Sequence, residues 1–172
     1  MRRLFLLRHA KSSWQVEGQD DFDRPINARG QKASLLMGEF IADNDCSADL
    51  ILCSTACRAR ETLARIVPFL HGEGTILLED ALYLASSERM LARLTQVDDR
   101  FERVMIIAHN PGLQDLTLSL AGFGKALSAV KNKYPTAALA QIDFDVDSWA
   151  SIAPREGVLT RFVTPRSLVA AN

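Results

Sequence analysis

Arg8 and His9 follow four apolar residues, positions 4–7, with no turn between them. A guanidinium and an imidazole at the end of a buried strand are costly unless they meet something charged. The arrangement recurs twice. A second apolar run, 50–53, leads into "STACRARET" with its Arg58, and a third, 104–107, ends in His109 and Asn110. Two of the chain's three histidines therefore stand where a strand gives way to a helix. A neutral imidazole is a competent nucleophile toward phosphorus when a backbone acceptor holds its other nitrogen. Arginines neutralise phosphoryl oxygens with forked hydrogen bonds, a task magnesium performs elsewhere. Two histidines, two arginines and a helix N-terminus predict a compact anion pocket, and that chemistry points to phosphate.

Each signal is weak alone. An Arg-His pair is more often structural, Asn110-Pro111 by itself can be a plain helix start, and one arginine in "STACRARET" is more often solvated or paired with Glu61. Their weight comes from occurring together, each after a strand, because ligands of open α/β sheets bind beyond the carboxyl ends of the strands. The chain has no GxxxxGK[ST] phosphate loop and no HExxH spacing, so no metal and no cofactor is expected. Cys46, Cys53 and Cys57 are an odd number without paired spacing. Cys53 and Cys57 read as small apolar packing groups, and His71 as a helix-end residue. "DFDRPINARG" (21–30) reads equally well as a plain turn and as a ligand-facing loop.

The elements that must position these side chains alternate between short apolar strands and helical patterns, which predicts an α/β fold with a largely parallel sheet. Asn27 caps an expected helix to about Asp43, with Ala33, Met37, Phe40 and Ile41 at helical spacing. The helix after the second strand places Leu63, Ile66, Val67 and Leu70 at i, i+3, i+4 and i+7. "TILLE" (75–79) reads as a third strand, and 87–96 as a short helix with Met90, Leu91 and Leu94 inward. Asn110-Pro111 reads as a cap plus first-turn proline for a helix through Leu113, Leu116 and Leu120. The basic stretch "GFGKALSAVKNKYP" (122–135) reads as a mobile surface loop. "AALAQIDFDV" and "GVLTRFVTP" read as a closing pair of strands, the second at a sheet edge. With no repeat, low-complexity tract or linker, residues 1–172 are expected to form one domain.

Hydrophobic residues at 48% and charged residues at 24% balance as in a soluble globular protein. A net charge of −1, with Lys and Arg dispersed, argues against a nucleic-acid partner. No apolar run approaches the roughly 18 residues of a membrane span. The short run after Arg2-Arg3 falls below the apolar core of about 7–15 residues in a signal peptide. A cytoplasmic protein with reduced thiols and no membrane partner is expected.

Taken together, "LLRHAKSSW", "DRPINARG", "ILCSTACRARET", "LYLAS" and "IIAHNPGLQDL" resemble the histidine phosphatase superfamily, and within it the small SixA-type phosphohistidine phosphatases. The resemblance covers roughly residues 3 to 120, in the family's order. It implies a three-layer α/β/α sandwich around a mostly parallel sheet, of the phosphoglycerate mutase-like kind, and a covalent phosphohistidine intermediate. Carried over residue by residue, His9 is the implied nucleophile, Arg8 and Arg58 bind the phosphoryl oxygens, and His109 donates to them. Asn110 is placed near the pocket, and Lys11 and Ser12 at its mouth. Larger members use a carboxylic acid to protonate an alkoxide leaving group. Here Tyr83 and Leu84 stand about where that region falls, with Glu79 and Asp80 nearby. An alkyl phosphate needs such an acid, whereas a leaving imidazole, with a conjugate acid near pKa ~6.5, departs readily. The chain also leaves little length for a lid beyond 122–135, and an open pocket suits a phosphorylated side chain on another protein.

The expected activity is a metal-independent phosphatase that acts through phospho-His9 on phosphohistidine in a signalling or phosphorelay protein. Hydrolysis of a small phosphorylated metabolite is the enzymatic alternative. A phosphate-binding module without turnover is the rival from another class, although a pure binder need not keep a nucleophile. A nucleotide-binding protein would carry a glycine fingerprint after the first strand, and this chain has none there.

Overall fold

A computed structural model describes residues 1–170. Among these, seven strands form one sheet in the order β3-β2-β4-β1-β6-β7-β5. They are β1 (Arg2–Arg8), β2 (Leu50–Ser54), β3 (Thr75–Glu79), β4 (Arg103–Ala108), β5 (Ala121–Phe123), β6 (Leu139–Phe144) and β7 (Gly157–Val163). Only β6 runs against the rest, antiparallel to both β1 and β7. The other pairs are parallel. The helices are α1 (Ala28–Asp43), α2 (Cys57–Ile66), α3 (Ser87–Leu94), α4 (Gly112–Leu120), α5 (Leu127–Asn132) and α6 (Pro165–Ala170). None is long and apolar enough to cross a membrane.

Successive side chains of β1, β2 and β4 point to opposite faces and so enter two cores. Leu4, Leu6, Leu52 and Ile106 pack with Met90 and Leu94 of α3 and Leu113 and Leu116 of α4. Phe5, Leu7, Ile51 and Ile107 pack with Met37 and Ile41 of α1 and Leu63 and Ile66 of α2. Helices thus cover both faces, which makes the three-layer sandwich that the resemblance implies. It also explains why positions 4–7 show no polar alternation: a strand covered on both sides is apolar throughout. The Asn27 cap is present, its Oδ1 accepting the Gly30 N–H at 2.9 Å.

Other expectations are corrected. The helix α2 stops at Ile66, a turn short of the predicted pattern, because Pro68 has no amide to continue it. The chain tightens there into a 3₁₀ turn over Val67–Phe69, leaving Val67 exposed. Asn110 and Pro111 do not open α4 as a cap and first-turn proline. The bond between them is cis, Pro111 itself is the N-cap, and Gly112 is the first helical residue. The stretch 122–135 is structured: it carries β5 and α5, buries Val130 and Tyr134, and keeps its lysines outside. Nor is β7 the edge, since β5 pairs beyond it through Ala121 with Gly157 and Phe123 with Val158. A three-residue strand is too short to show a period.

Candidate active site

β4 lies between β1 and β2, so residues at the carboxyl ends of all three meet. Arg8 closes β1 and His9 follows it; Ser54 closes β2; His109 follows β4. Arg58 enters from the first turn of α2. The rings of His9 and His109 stand 5.0 Å apart, and Arg58 Nε donates to His9 Nε2 at 3.4 Å. Arg8, His9, Arg58 and His109 line one cleft of about 400 Å³, and Lys11, Ser12 and Asn110 line it as well. Every site residue read from the sequence is brought to this one place.

The two imidazoles are both held neutral. His9 Nδ1 lies 2.8 Å from the Ala10 carbonyl, which can only accept, so Nδ1 carries the proton and Nε2 keeps its lone pair. Burial pushes His9 down to about 3, against that hydrogen bond and aided by His109, Arg58 and Arg8. Burial likewise takes His109 down to about 4, with Arg58 and Arg8 adding to it and Asp21 opposing. His109 Nε2 lies 2.8 Å from Ser54 Oγ, which already accepts the Ala56 N–H. The Ser54 hydroxyl is fully buried, and His109 Nε2 is the acceptor within its reach. The Ser54 O–H therefore donates to Nε2 and leaves the His109 proton on Nδ1, a buried donor with no partner among the described residues. Arg8 has a similar spare donor: Nη1 donates to the Tyr134 carbonyl at 2.8 Å while Nε has no acceptor among the described residues. Buried donors of this kind call for an acceptor.

One carboxylate at the site escapes the sequence reading. Asp21 Oδ2 accepts from Tyr83 Oη at 2.7 Å and Arg58 Nη2 at 3.0 Å, and Oδ1 accepts from Arg24 Nη2 at 2.9 Å. The Tyr83 hydroxyl, then Arg24 and Arg58, hold the Asp21 carboxyl well below the usual carboxylate range. Of the segment 21–30, Asp21 and Arg24 line the cleft, whereas residues from Ala28 on already belong to α1. Glu79 and Asp80 lie elsewhere. Glu79 makes a two-pronged pair with Arg93, and Asp80 accepts from Thr55 Oγ1 at 2.6 Å. Among the described residues Glu61 pairs with no arginine; it accepts the Ile26 N–H and so steadies the 21–30 segment.

The sequence profile of the histidine phosphatase superfamily (branch 1) matches residues 4–83. A candidate phosphohistidine phosphatase SixA from Agrobacterium tumefaciens is 31% identical, with a TM-score of 0.82 over 95% of this chain and 98% of its own. The chain belongs to the histidine phosphatase superfamily. An uncharacterized protein of Mycobacterium tuberculosis is 31% identical over 167 residues, 93% of this chain and 100% of its own. At 20% identity, the protein histidine phosphatase SixA complexed with tungstate shares the fold, with a TM-score of 0.75 over 96% of this chain and 99% of its own. The mixed, mostly parallel seven-strand sheet is thus the phosphoglycerate mutase-like fold of this superfamily's SixA structures.

Proposed function

We propose that this superfamily member is a phosphatase working through phospho-His9, with a phosphohistidine side chain of another protein as its substrate. The observation that carries the reading is the state of His9, whose ring is buried, neutral and tied through Nδ1 to Ala10, with Nε2 beside Arg58. With the substrate ring protonated from solvent at its other nitrogen, Nε2 attacks phosphorus, the bond from phosphorus to the substrate nitrogen breaks, and a neutral imidazole departs with the electron pair. Arg8, Arg58 and the Nδ1–H of His109 hold the phosphoryl oxygens while charge shifts. Lys11, Ser12 and Asn110 border the bound group. Water then attacks phospho-His9, the P–Nε2 bond breaks, and inorganic phosphate leaves as a proton returns to solvent.

Asp21 supports the choice of substrate. A carboxyl held ionised by Tyr83, Arg24 and Arg58 has no proton to give a poor leaving group at neutral pH. An imidazole, with a conjugate acid near pKa ~6.5, does not require one. The likeness to the SixA candidate of A. tumefaciens points the same way. The test is rapid quench with a radiophosphate-labelled phosphohistidine protein. An acid-labile, alkali-stable label should pass through the wild type and be missing from His9→Ala, with kcat falling about 10³-fold or more. Full activity in that variant overturns the mechanism. Turnover of small phosphate esters with none of the phosphohistidine donor overturns the substrate.

A further inference from the structure

The rim of the cleft differs in kind from its floor. Trp14 and Leu84 are 74% and 57% exposed, yet both line the cleft that holds His9 and His109. Trp14 is nonetheless fixed in place. The Ser13 N–H donates to the Pro25 carbonyl at 2.8 Å, and the indole lies on the Arg24 guanidinium, whose central carbon is 3.4 Å from the ring centroid. Arg24 itself is buried and pinned, giving Nη1 to Ser12 Oγ at 2.8 Å and Nε and Nη2 to Asp21 Oδ1 at 3.1 and 2.9 Å. Donors lie in the guanidinium plane, so its flat face is left for the indole. Leu84 is held at a φ of 48°, a left-handed backbone that a leucine rarely adopts, between buried Leu82 and Ala85. A braced tryptophan and a strained leucine, both exposed, flank a floor of neutral imidazoles and charged arginines.

We propose that Trp14, assisted by Leu84, is the specificity element of the cleft and selects donors whose leaving group is a flat π-rich ring, stacked on the indole. This inference rests on reading the cleft as a phosphatase site and names what its substrate carries beside phosphorus. The imidazole of phosphohistidine meets the requirement, and a donor without a ring leaves the indole unused.

Phosphoimidazole and phosphoramidate give the test, since both carry a P–N bond and only the first has a ring. Trp14→Ala should lower the ratio of kcat/KM for phosphoimidazole over phosphoramidate about five- to tenfold, with Trp14→Phe restoring most of it. An equal change on both donors, or an unchanged ratio, overturns the proposal. Should the wild type turn over neither donor, the phosphatase reading fails and binding still decides the role of Trp14. The other tryptophan, Trp149, is fully buried, so ligand-induced fluorescence changes report Trp14. Quenching by phosphoimidazole and not by phosphoramidate supports a ring-stacking site, and no quenching by either sinks it.

Discussion

The two imidazoles of the cleft carry their protons on the same nitrogen and offer opposite capacities. His9 spends its Nδ1–H on Ala10 and keeps a lone pair at Nε2, whereas His109 accepts from Ser54 at Nε2 and keeps an N–H at Nδ1. In the proposed reaction one is thereby the nucleophile and the other a donor. Ser54→Ala removes the hydroxyl that fixes His109. The expected result is a fall in kcat of about tenfold, equivalent to the ~1.4 kcal/mol of one good hydrogen bond. Nitrogen-15 spectra of the variant should show His109 leaving the single Nδ1–H form; an unchanged tautomer and rate would refute the role of Ser54. Arg8, His9, Arg58 and His109 are legible in the sequence because each sits against an apolar strand or the helix start that follows one. Asp21 is not, since a carboxylate in "DFDRP" looks like any solvated residue until folding brings it to Tyr83, 62 positions away. Trp14 is hidden for the same reason, as one tryptophan in a polar loop has no period to betray it.

At the scale of elements, the site depends on how closely α1 abuts the loop after His9. A Cβ on Gly30 would stand 2.3 Å from the Lys11 carbonyl oxygen. Asn27 stitches the two together, its N–H donating to Lys11 O at 2.9 Å and its Nδ2 to Ser12 O at 3.3 Å. Gly30→Ala must displace either the helix or the strip bearing Lys11 and Ser12. Overpacking of this kind costs about 1–3 kcal/mol, and urea denaturation should show it together with a lower kcat. A midpoint matching the wild type would mean that α1 slides without cost. The strands β1, β2 and β4 can be read from sequence because burial on both faces makes their central residues, 4–7, 50–53 and 104–107, apolar without alternation. The segment 122–135 resists such reading. Its lysines advertise a surface, while what it delivers inward is a backbone carbonyl, that of Tyr134, to Arg8, and a hydroxyl to Leu6.

Across the whole molecule, burying two neutral histidines ties stability to pH. His9 and His109 bind protons near 3 and 4 when folded, against an ordinary value of 6.5. Below the ordinary value the unfolded chain therefore binds more protons than the folded one. Stability is complete above about pH 6.5 and falls as pH drops toward 4, by up to ~1.4 kcal/mol per pH unit for each histidine. Chemical denaturation at pH 7 and pH 5 should show the loss, and His9→Ala should flatten part of it. Equal stabilities at the two pH values would contradict the buried neutral pair. The three-layer plan is foreseeable from alternating strands and helices, whereas the order of β5, β6 and β7 is set by contacts that no local pattern records. Arg58 adds one consequence for turnover. Its Nη1 and Nη2 already hold the Asp21 carbonyl and carboxylate, at 2.5 and 3.0 Å. In the proposed reaction an arriving phosphoryl group must therefore exchange with a tethered competitor instead of meeting a bare cation. That exchange weakens the grip on every anion alike, inorganic phosphate included, and so eases the exit of product as much as it tempers entry.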